Sequence, residues 1–346
     1  NPYAGLLEAI PVVRREVEVF GSTTAYWVYG DDDAEQTVLA VHGFRGEHHG
    51  LEPVVAHLDG IRIISPDLPG FGETPPLPGT RHTVQAYAGW LTAFAAAVAP
   101  GADILGHSFG SIVVSAAVAA GLPAPRVVLV NPIGAPALEG PRGILTRLAV
   151  FYYWAGARLP RRLGDALLRS RLIVRVMSVS MAKTRDRDLR AFIHDQHDTY
   201  FSRFADRDVL HDAFVASVSN DVRAFAPQIA QPTLLVAAEK DDITPIEAER
   251  HLQTLFPDAE LVEIAHRHGA LVILDEVHHG GDALSWGEAL REAYGRATRR
   301  LLLSGTPFRS DTAPIPFVEY HPNEKGIRLS RTDYNYGYGR ALADGV

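Results

Sequence analysis

The chain has 346 residues, 47% of them hydrophobic and 21% charged, so we expect a folded globular protein with either two domains or one domain carrying a large insertion. Its net charge of −8 argues against a general nucleic-acid binder, because phosphate binding needs a concentrated basic surface. The absence of cysteine excludes disulfides, thiolate metal sites and a cysteine nucleophile. No apolar run approaches the length of a membrane span, and we expect a cytoplasmic protein.

In the first part of the chain, predicted strands alternate with predicted helices. The strands are 14–20, 24–29, 37–41, 61–65, 103–105 and 126–130, and the helices are 84–98 and 111–120. This alternation predicts an α/β fold with a mostly parallel sheet and helices on its faces.

A different pattern occupies 135–225, where strand signals vanish and amphipathic helical stretches take over. This segment carries 15 Arg and Lys against 10 Asp and Glu, in contrast to the acidic chain as a whole. Strands return at 233–237 and 260–264, with a helix predicted at 246–256. We therefore predict a core in two parts, 1–134 and 226–268, interrupted by a helical lid. A basic lid would favour anionic substrates, and the simpler interpretation is a solvated surface.

The pentapeptide GHSFG at 106–110 follows a predicted strand and precedes a helix of small residues. This context is typical of the sharp turn that exposes a nucleophilic serine at the carboxyl edge of a sheet, and it makes Ser108 the candidate nucleophile. A serine needs a base to take its proton and an acid to orient that base. Asp241, after the strand at 233–237, is the predicted acid, and Asp242 is the alternative. The amides of Phe44 and Phe109 are the candidate oxyanion donors.

Four ordered motifs make the chain resemble the α/β-hydrolase family over about 12–265. They are VHGF at 41–44, PDLPGFG at 66–72, GHSFGS at 106–111 and EKDDITP at 239–245. The resemblance implies an esterase, thioesterase, lipase or carbon–carbon bond hydrolase. It also implies a Gly-His pair after the last core strand, where this chain has AHRHG at 265–269. His268 is the predicted base, with His266, or no functioning base, as the alternatives, because base catalysis depends on placement.

The sequence from 269 to 346 resembles superfamily 2 helicases. ALVILDEVHH at 270–279 is similar to their Walker B motif, and RLLLSGTPFR at 300–309 is similar to their S-G-T motif. Predicted strands at 270–274 and 300–303 flank a helix at 284–294, so we expect a partial RecA-like β-α-β segment. No Gly-Lys dipeptide occurs in the chain, so the phosphate loop is missing and we predict no ATPase activity.

Several histidines are further candidates for metal binding, and one aromatic run is a candidate for lining a pocket. His194 and His197 have helical spacing but no third ligand, so a polar helix face is favoured over a metal pair. The pairs at 48–49 and 278–279 are interpreted as loop or surface histidines. The aromatic run YYW at 152–154 lines an acyl pocket or serves lid packing.

The leading hypothesis is a serine hydrolase that acts on a small acyl or carbonyl substrate, without a metal or other cofactor. The alternatives are a nucleic-acid-dependent, helicase-like ATPase fragment and a chimera without catalytic activity. The sequence gives no oligomeric state.

Overall fold

The protein is described by a computed structural model. It describes residues 2–58, 60–135, 143–182, 184, 186–239, 241 and 244–264, and beyond these the strands at 271–274, 299–302, 320–322 and 328–330. For 143–146 and the four later strands it describes the backbone alone. The chain divides into two compact units, Asn1–Ile264 and Ala265–Val346.

One mixed sheet organises the first unit. Its strands are β1 Val12–Val19, β2 Ser22–Tyr29, β3 Gln36–Val41, β4 Ile61–Pro66, β5 Asp103–His107, β6 Val127–Val130, β7 Thr233–Ala238 and β8 Ala259–Ile264. They lie in the order β1-β2-β4-β3-β5-β6-β7-β8. The pairs β1–β2 and β2–β4 are antiparallel and all other pairs are parallel, which confirms the mostly parallel sheet. The carboxyl ends of β3, β5, β6 and β7 therefore meet at one edge, where ligands bind in open α/β sheets.

The helices of the described residues fall into two groups. Those of the core are α1 Ala4–Leu7, α2 Glu52–Val55, α3 Val84–Val98, α4 Phe109–Ala119 and α10 Ile246–Gln253. Those between β6 and β7 are α5 Gly143–Arg158, α6 Arg161–Leu168, α7 Arg171–Met181, α8 Arg187–Tyr200 and α9 Arg207–Val218. Short 3₁₀ helices occur at His48–Leu51, Val222–Ala224 and Ala226–Gln228. We call α5 to α9 the helical insertion. None of the described helices is both long and apolar enough to cross a membrane.

Two apolar clusters hold the sheet. The larger one contains Val28 together with buried side chains of α3 and α4, such as Trp90 and Ile112. The smaller one contains Trp27 and packs against the 3₁₀ helix and α2. Adjacent residues of β2 thus enter different clusters, because successive side chains of a strand point to opposite faces of the sheet.

Four short strands are described in the second unit. β9 Leu271–Leu274 pairs in parallel with β10 Arg299–Leu302, and β11 Tyr320–Pro322 pairs antiparallel with β12 Arg328–Ser330. The strands expected at 270–274 and 300–303 are therefore present and adjacent. The helix expected at 284–294 lies outside the described residues.

Candidate functional site

Ser108 lies in a sharp turn between β5 and α4. Its backbone has φ 53° and ψ −118°, a conformation that side chains other than glycine rarely adopt. The turn is tight on both sides. A Cβ at Gly106 would stand 2.6 Å from the Gly110 carbonyl oxygen, and one at Gly110 would stand 2.4 Å from the Val41 carbonyl oxygen. Only glycine fits at these two positions, which explains the spacing of the motif.

Hydrogen bonds fix this turn to its neighbours. The Ser108 amide donates to the Val130 carbonyl at 3.0 Å, which ties the turn to the end of β6. The Ser111 hydroxyl donates to the Ser108 carbonyl at 2.5 Å and accepts from the Ile133 amide at 3.1 Å. The Ser108 side chain is partly exposed, so a hydroxyl is held on a rigid support at the carboxyl edge of the sheet.

The loop after β3 lies directly against this turn. A Cβ on Gly43 would be 3.2 Å from Ser108 Cβ. The next residue is Phe44, and neither its amide nor that of Phe109 donates to another group in the described part of the chain. His42 is buried and shapes the loop, since its Nε2 accepts from the Leu68 amide at 2.9 Å. In the described residues, two amides without an acceptor thus belong to the residues that follow Gly43 and Ser108, an arrangement that would suit stabilisation of a negatively charged oxygen.

Asp241 follows β7, whose carboxyl end meets the same edge. Its Oδ1 accepts from the Thr244 amide at 3.1 Å. Burial and His42 lower the pKa of His107, next to the serine, while the charge of Asp241 acts in the opposite direction. Asp241 is therefore within electrostatic range of the turn. Asp242, His266 and His268 lie outside the described residues.

A second carboxyl group near Asp241 has no counterpart in the sequence interpretation. Glu249 on α10 is fully buried, and its carboxyl oxygens make no hydrogen bond of good geometry with the described residues. A Cβ on Gly134 would be 3.0 Å from Glu249 Oε1, so this carboxyl lies beside the segment that follows β6. Burial, reinforced by the charge of Asp241, raises the pKa of Glu249 to about 8. No motif marks this residue, because only the fold buries it.

The helical insertion packs over the loop that carries Phe44. The Phe44 ring lies 5.6 Å from the Tyr153 ring of α5 and 5.9 Å from the Phe214 ring of α9. Tyr153 is 3% exposed and stacks on Phe214 at 4.0 Å, whereas Trp154 is 48% exposed. Of the predicted aromatic run, Tyr153 is thus the residue that packs most deeply against the site.

Arg45 connects the same loop to the insertion by directed bonds. Its side chain is 3% exposed, and its backbone has a positive φ of 58°. Its guanidinium donates to the Phe201 carbonyl at 2.8 Å, to the Leu168 carbonyl at 3.0 Å and to the Tyr153 hydroxyl at 3.3 Å. No sequence motif marks this buried arginine, because its acceptors lie more than 100 residues further along the chain.

The interpretation of His48 as a surface histidine is wrong, although it does lie in the connection that follows β3. Its side chain is 2% exposed, it stacks on Trp27 at 3.2 Å, and its Nδ1 is 2.9 Å from Asp67 Oδ1. Asp67 also accepts from the His48 amide at 2.8 Å. Burial, together with the charge of Asp67, raises the pKa of the neighbouring Glu47 to about 7. The PDLPGFG loop supplies Asp67 and thereby buries a histidine that looks like a surface residue in the sequence.

His194 and His197 share one partner rather than facing solvent. Their Nδ1 atoms lie 2.6 and 2.8 Å from the hydroxyl of Ser178, which is fully buried on α7. The pair joins α8 to α7, as a structural contact within the insertion.

Comparisons with known proteins agree with this architecture. The family model described as alpha/beta hydrolase fold matches residues 36–272. An esterase from Exiguobacterium antarcticum superimposes with a TM-score of 0.57 at 16% identity, over 72% of this chain and 90% of that chain. An enol-lactonase from Burkholderia xenovorans LB400 superimposes with a TM-score of 0.56 at 19% identity, over 72% of this chain and 90% of that chain. A bromoperoxidase from Bacillus anthracis superimposes with a TM-score of 0.58 at 15% identity, over 73% of this chain and 91% of that chain.

Curated relatives match a much shorter stretch. Uncharacterized proteins of Mycobacterium tuberculosis and Mycobacterium leprae are 64% and 59% identical to this chain over 76 residues. These matches cover 22% of this chain and 13% of each relative, so the chain spans only a small part of the relatives' length. The family match is far broader. Because it spans more than half of the chain and coincides with the sheet and the turn at Ser108, the chain belongs to the alpha/beta hydrolase fold family.

Proposed function

We propose that this protein is a serine hydrolase that cleaves an ester, thioester or related carbonyl substrate through an acyl-enzyme. The observation that carries the proposal is Ser108 itself, held at φ 53° at the carboxyl edge of the sheet with the loop of Gly43 against it. Supporting it are the amides of Phe44 and Phe109, which have no other hydrogen-bond acceptor in the described chain and would hold the oxyanion.

The proposed chemistry assigns one role to each residue. His268, or His266 in its place, takes the hydroxyl proton as Ser108 Oγ bonds to the carbonyl carbon, and Asp241 orients the imidazolium. The histidine gives this proton to the departing alcohol or thiol. Water then attacks the acyl-enzyme, the histidine accepts its proton, and the carboxylic acid leaves as the serine is restored. The helical insertion, which packs on Phe44 through Tyr153, acts as a lid over the acyl group.

A fluorophosphonate probe, which phosphonylates activated serines, tests the nucleophile. We expect labelling of the wild-type chain, loss of labelling in Ser108→Ala, and unchanged labelling in Ser180→Ala, which removes an exposed serine of α7. Hydrolysis of a short-chain aryl ester should fall by roughly 10⁴-fold or more in Ser108→Ala. A wild-type chain that is not labelled would contradict the proposal and favour the non-catalytic chimera.

The base is tested separately. His268→Ala and His266→Ala are compared for labelling rate across pH, since the variant that removes the base loses the rise in rate as the imidazole deprotonates. We expect this loss in His268→Ala. An effect confined to His266→Ala reassigns the base, and no effect in either variant excludes both histidines while leaving Ser108 in its role.

For the second unit, we propose an origin in a superfamily 2 helicase without ATPase activity. The sequence carries DEVH at 275–278 after β9 and SGT at 304–306 after β10, and these two strands pair in parallel. No Gly-Lys dipeptide is present to cradle phosphates. We expect no ATP turnover above background with or without single-stranded DNA or RNA, and stimulated turnover would contradict this part of the proposal.

A further inference from the structure

Three consecutive residues after the Phe44 loop converge at the start of the 3₁₀ helix His48–Leu51. Glu47, His48 and His49 each offer one ligand atom, and these atoms all lie within 4.8 Å of one another. The side chains of Glu47 and His48 are 2% exposed, and that of His49 is 28% exposed. Two imidazoles and a carboxylate therefore meet in a largely buried place that the proposed hydrolysis does not use.

The hydrogen bonds of the two histidines fix their tautomers. His48 Nδ1 lies 2.9 Å from Asp67 Oδ1, and His49 Nδ1 lies 2.8 Å from Glu52 Oε1. An ionised carboxylate only accepts hydrogen bonds, so each Nδ1 carries a proton and Nε2 is the nitrogen available to a metal ion. Histidines that bind metals are held in this way, with the far nitrogen donating to a carboxylate that orients the ring.

Charge in the cluster favours a cation. The carboxyl groups of Glu47, Glu52 and Asp67 lie beside the two imidazoles, and the guanidinium of Arg203 is 3.5 Å from Glu47 Oε1. Among the described residues of this cluster, three carboxyl groups thus stand against one guanidinium. Buried charges are normally paired or bound to a metal, because desolvating an unpaired charge is costly.

We propose that Glu47, His48 and His49 form a binding site for one divalent transition-metal ion, with Zn²⁺ as the best match to two imidazole nitrogens and one carboxylate. Water would complete the tetrahedral set that Zn²⁺ prefers. Zinc ligands at about 2.0–2.2 Å from the ion lie closer together than 4.8 Å, so the ligand atoms draw inward on binding. His49 is 28% exposed and stacks on Tyr200 at 4.5 Å, so this adjustment would slide its ring along that of Tyr200.

Metal binding at this site would stabilise the folded state. Asp67 joins His48 to the loop after β4, where its Oδ2 accepts from the Glu73 amide at 2.9 Å. A metal on His48 would therefore clamp the loop after β3 to the loop after β4, and binding should raise the melting temperature, since a ligand that binds only the folded state stabilises it.

Metal binding is tested on the full chain without a histidine tag, after removal of metal with a chelator. Titration with Zn²⁺ in a calorimeter should show one equivalent bound, and Co²⁺ should give the visible absorption of a tetrahedral nitrogen and oxygen site. We expect Glu47→Gln and His49→Ala to weaken Zn²⁺ affinity at least tenfold. His194→Ala, which alters another histidine pair, serves as the matched control and should bind like the wild type.

A further variant distinguishes loss of metal binding from loss of folding. Glu52→Gln keeps all three ligands but removes the carboxylate that orients His49, and it should lower the affinity by roughly 10- to 100-fold. Circular dichroism establishes that each variant is folded. No stoichiometric binding to the wild-type chain, or equal affinity in Glu47→Gln and His49→Ala, would overturn the proposal. Fluorophosphonate labelling of Ser108 is measured in parallel, so the metal site and the proposed hydrolase function can fail independently.

Discussion

The core around Ser108 and the helical insertion are built in contrasting ways. Every residue of α4 from Phe109 to Val118 is buried, whereas α8 has no buried residue and α7 buries only Val174 and Ser178. The core is held by apolar contact on all sides. Within the insertion, α9 contributes Leu210 and Phe214 to the apolar core, whereas α7 and α8 are joined by a few directed contacts, such as those of Ser178 with His194 and His197, and leave apolar side chains exposed. We therefore expect α7 and α8 to open locally at a lower free energy than the sheet.

The largest expected effect is in the core, with Gly110→Ala. Its new Cβ would stand 2.4 Å from the Val41 carbonyl oxygen and 2.7 Å from that of His42, and backbone atoms cannot move aside cheaply. We expect the free energy of unfolding in urea to fall by roughly 3 kcal/mol or more. Gly89→Ala in α3 is the control, since its nearest contact is 3.8 Å away and helical alanine is favoured. Equal stability of the two variants would refute the tight packing at the turn.

The contact between the two regions is tested by Arg45→Met. The change removes two charge-assisted hydrogen bonds, to the Phe201 and Leu168 carbonyls, at a cost of about 2 kcal/mol, although the Leu168 carbonyl keeps the Tyr152 hydroxyl as a donor at 3.2 Å. We expect hydrogen exchange and limited proteolysis to increase first in α6 to α8, before the sheet is affected. Arg147→Met, at an exposed position of α5, should leave the pattern unchanged. Uniform loss of protection across both regions would contradict the difference between them.

A pH dependence of stability is expected from Glu249 in the core. Its pKa of about 8 in the folded chain exceeds the ordinary value of 4.5, so the folded state binds the proton more tightly. Stability is therefore full below about pH 4.5 with respect to this group and is lost as pH rises through about 8. Glu249→Gln should flatten this loss in urea unfolding at several pH values. Glu247→Gln, exposed on the same helix, should retain it.

The smallest effect is expected on the surface of the insertion. Leu172 on α7 is 74% exposed, so Leu172→Ser should change the free energy of unfolding by no more than about 0.5 kcal/mol. The same replacement at Leu210 of α9, which is fully buried, should cost at least about 2 kcal/mol. Similar costs at both positions would mean that the exposed face of α7 is covered.

Local pattern was sufficient for most elements of the first unit. The strand expected at 37–41 is β3, extended by one residue, because a run of β-branched and apolar residues suits a strand buried on both faces. The expected strand at 103–105 continues to His107, and the helix expected at 111–120 begins at Phe109. These boundaries moved because Val130 pairs with His107 and brings the turn at Ser108 close to β6. This pairing joins residues more than 20 positions apart and is therefore not encoded within a short stretch of sequence.

In the candidate site, too, some residues are marked by local sequence and others are defined by contacts between distant parts of the chain. Ser108, Phe44 and Asp241 follow strand ends that the sequence marks, and they remain the predicted nucleophile, oxyanion donor and acid. His48 is different, since its burial depends on Trp27 of β2 and on Asp67 of the loop after β4. The distinction between a surface histidine and a buried one is therefore made by contacts that lie far apart in the chain.

By itself, the sequence determined the α/β order of elements, the glycines that frame Ser108 and the length of the helical insertion, because periodicity and turn residues act over a few neighbouring positions. Tertiary structure alone decided that Arg45, His48 and Glu249 are buried and which groups face them. The physical reason is that burial and hydrogen bonding depend on which strands and helices come together, and such partners carry no local sequence signal.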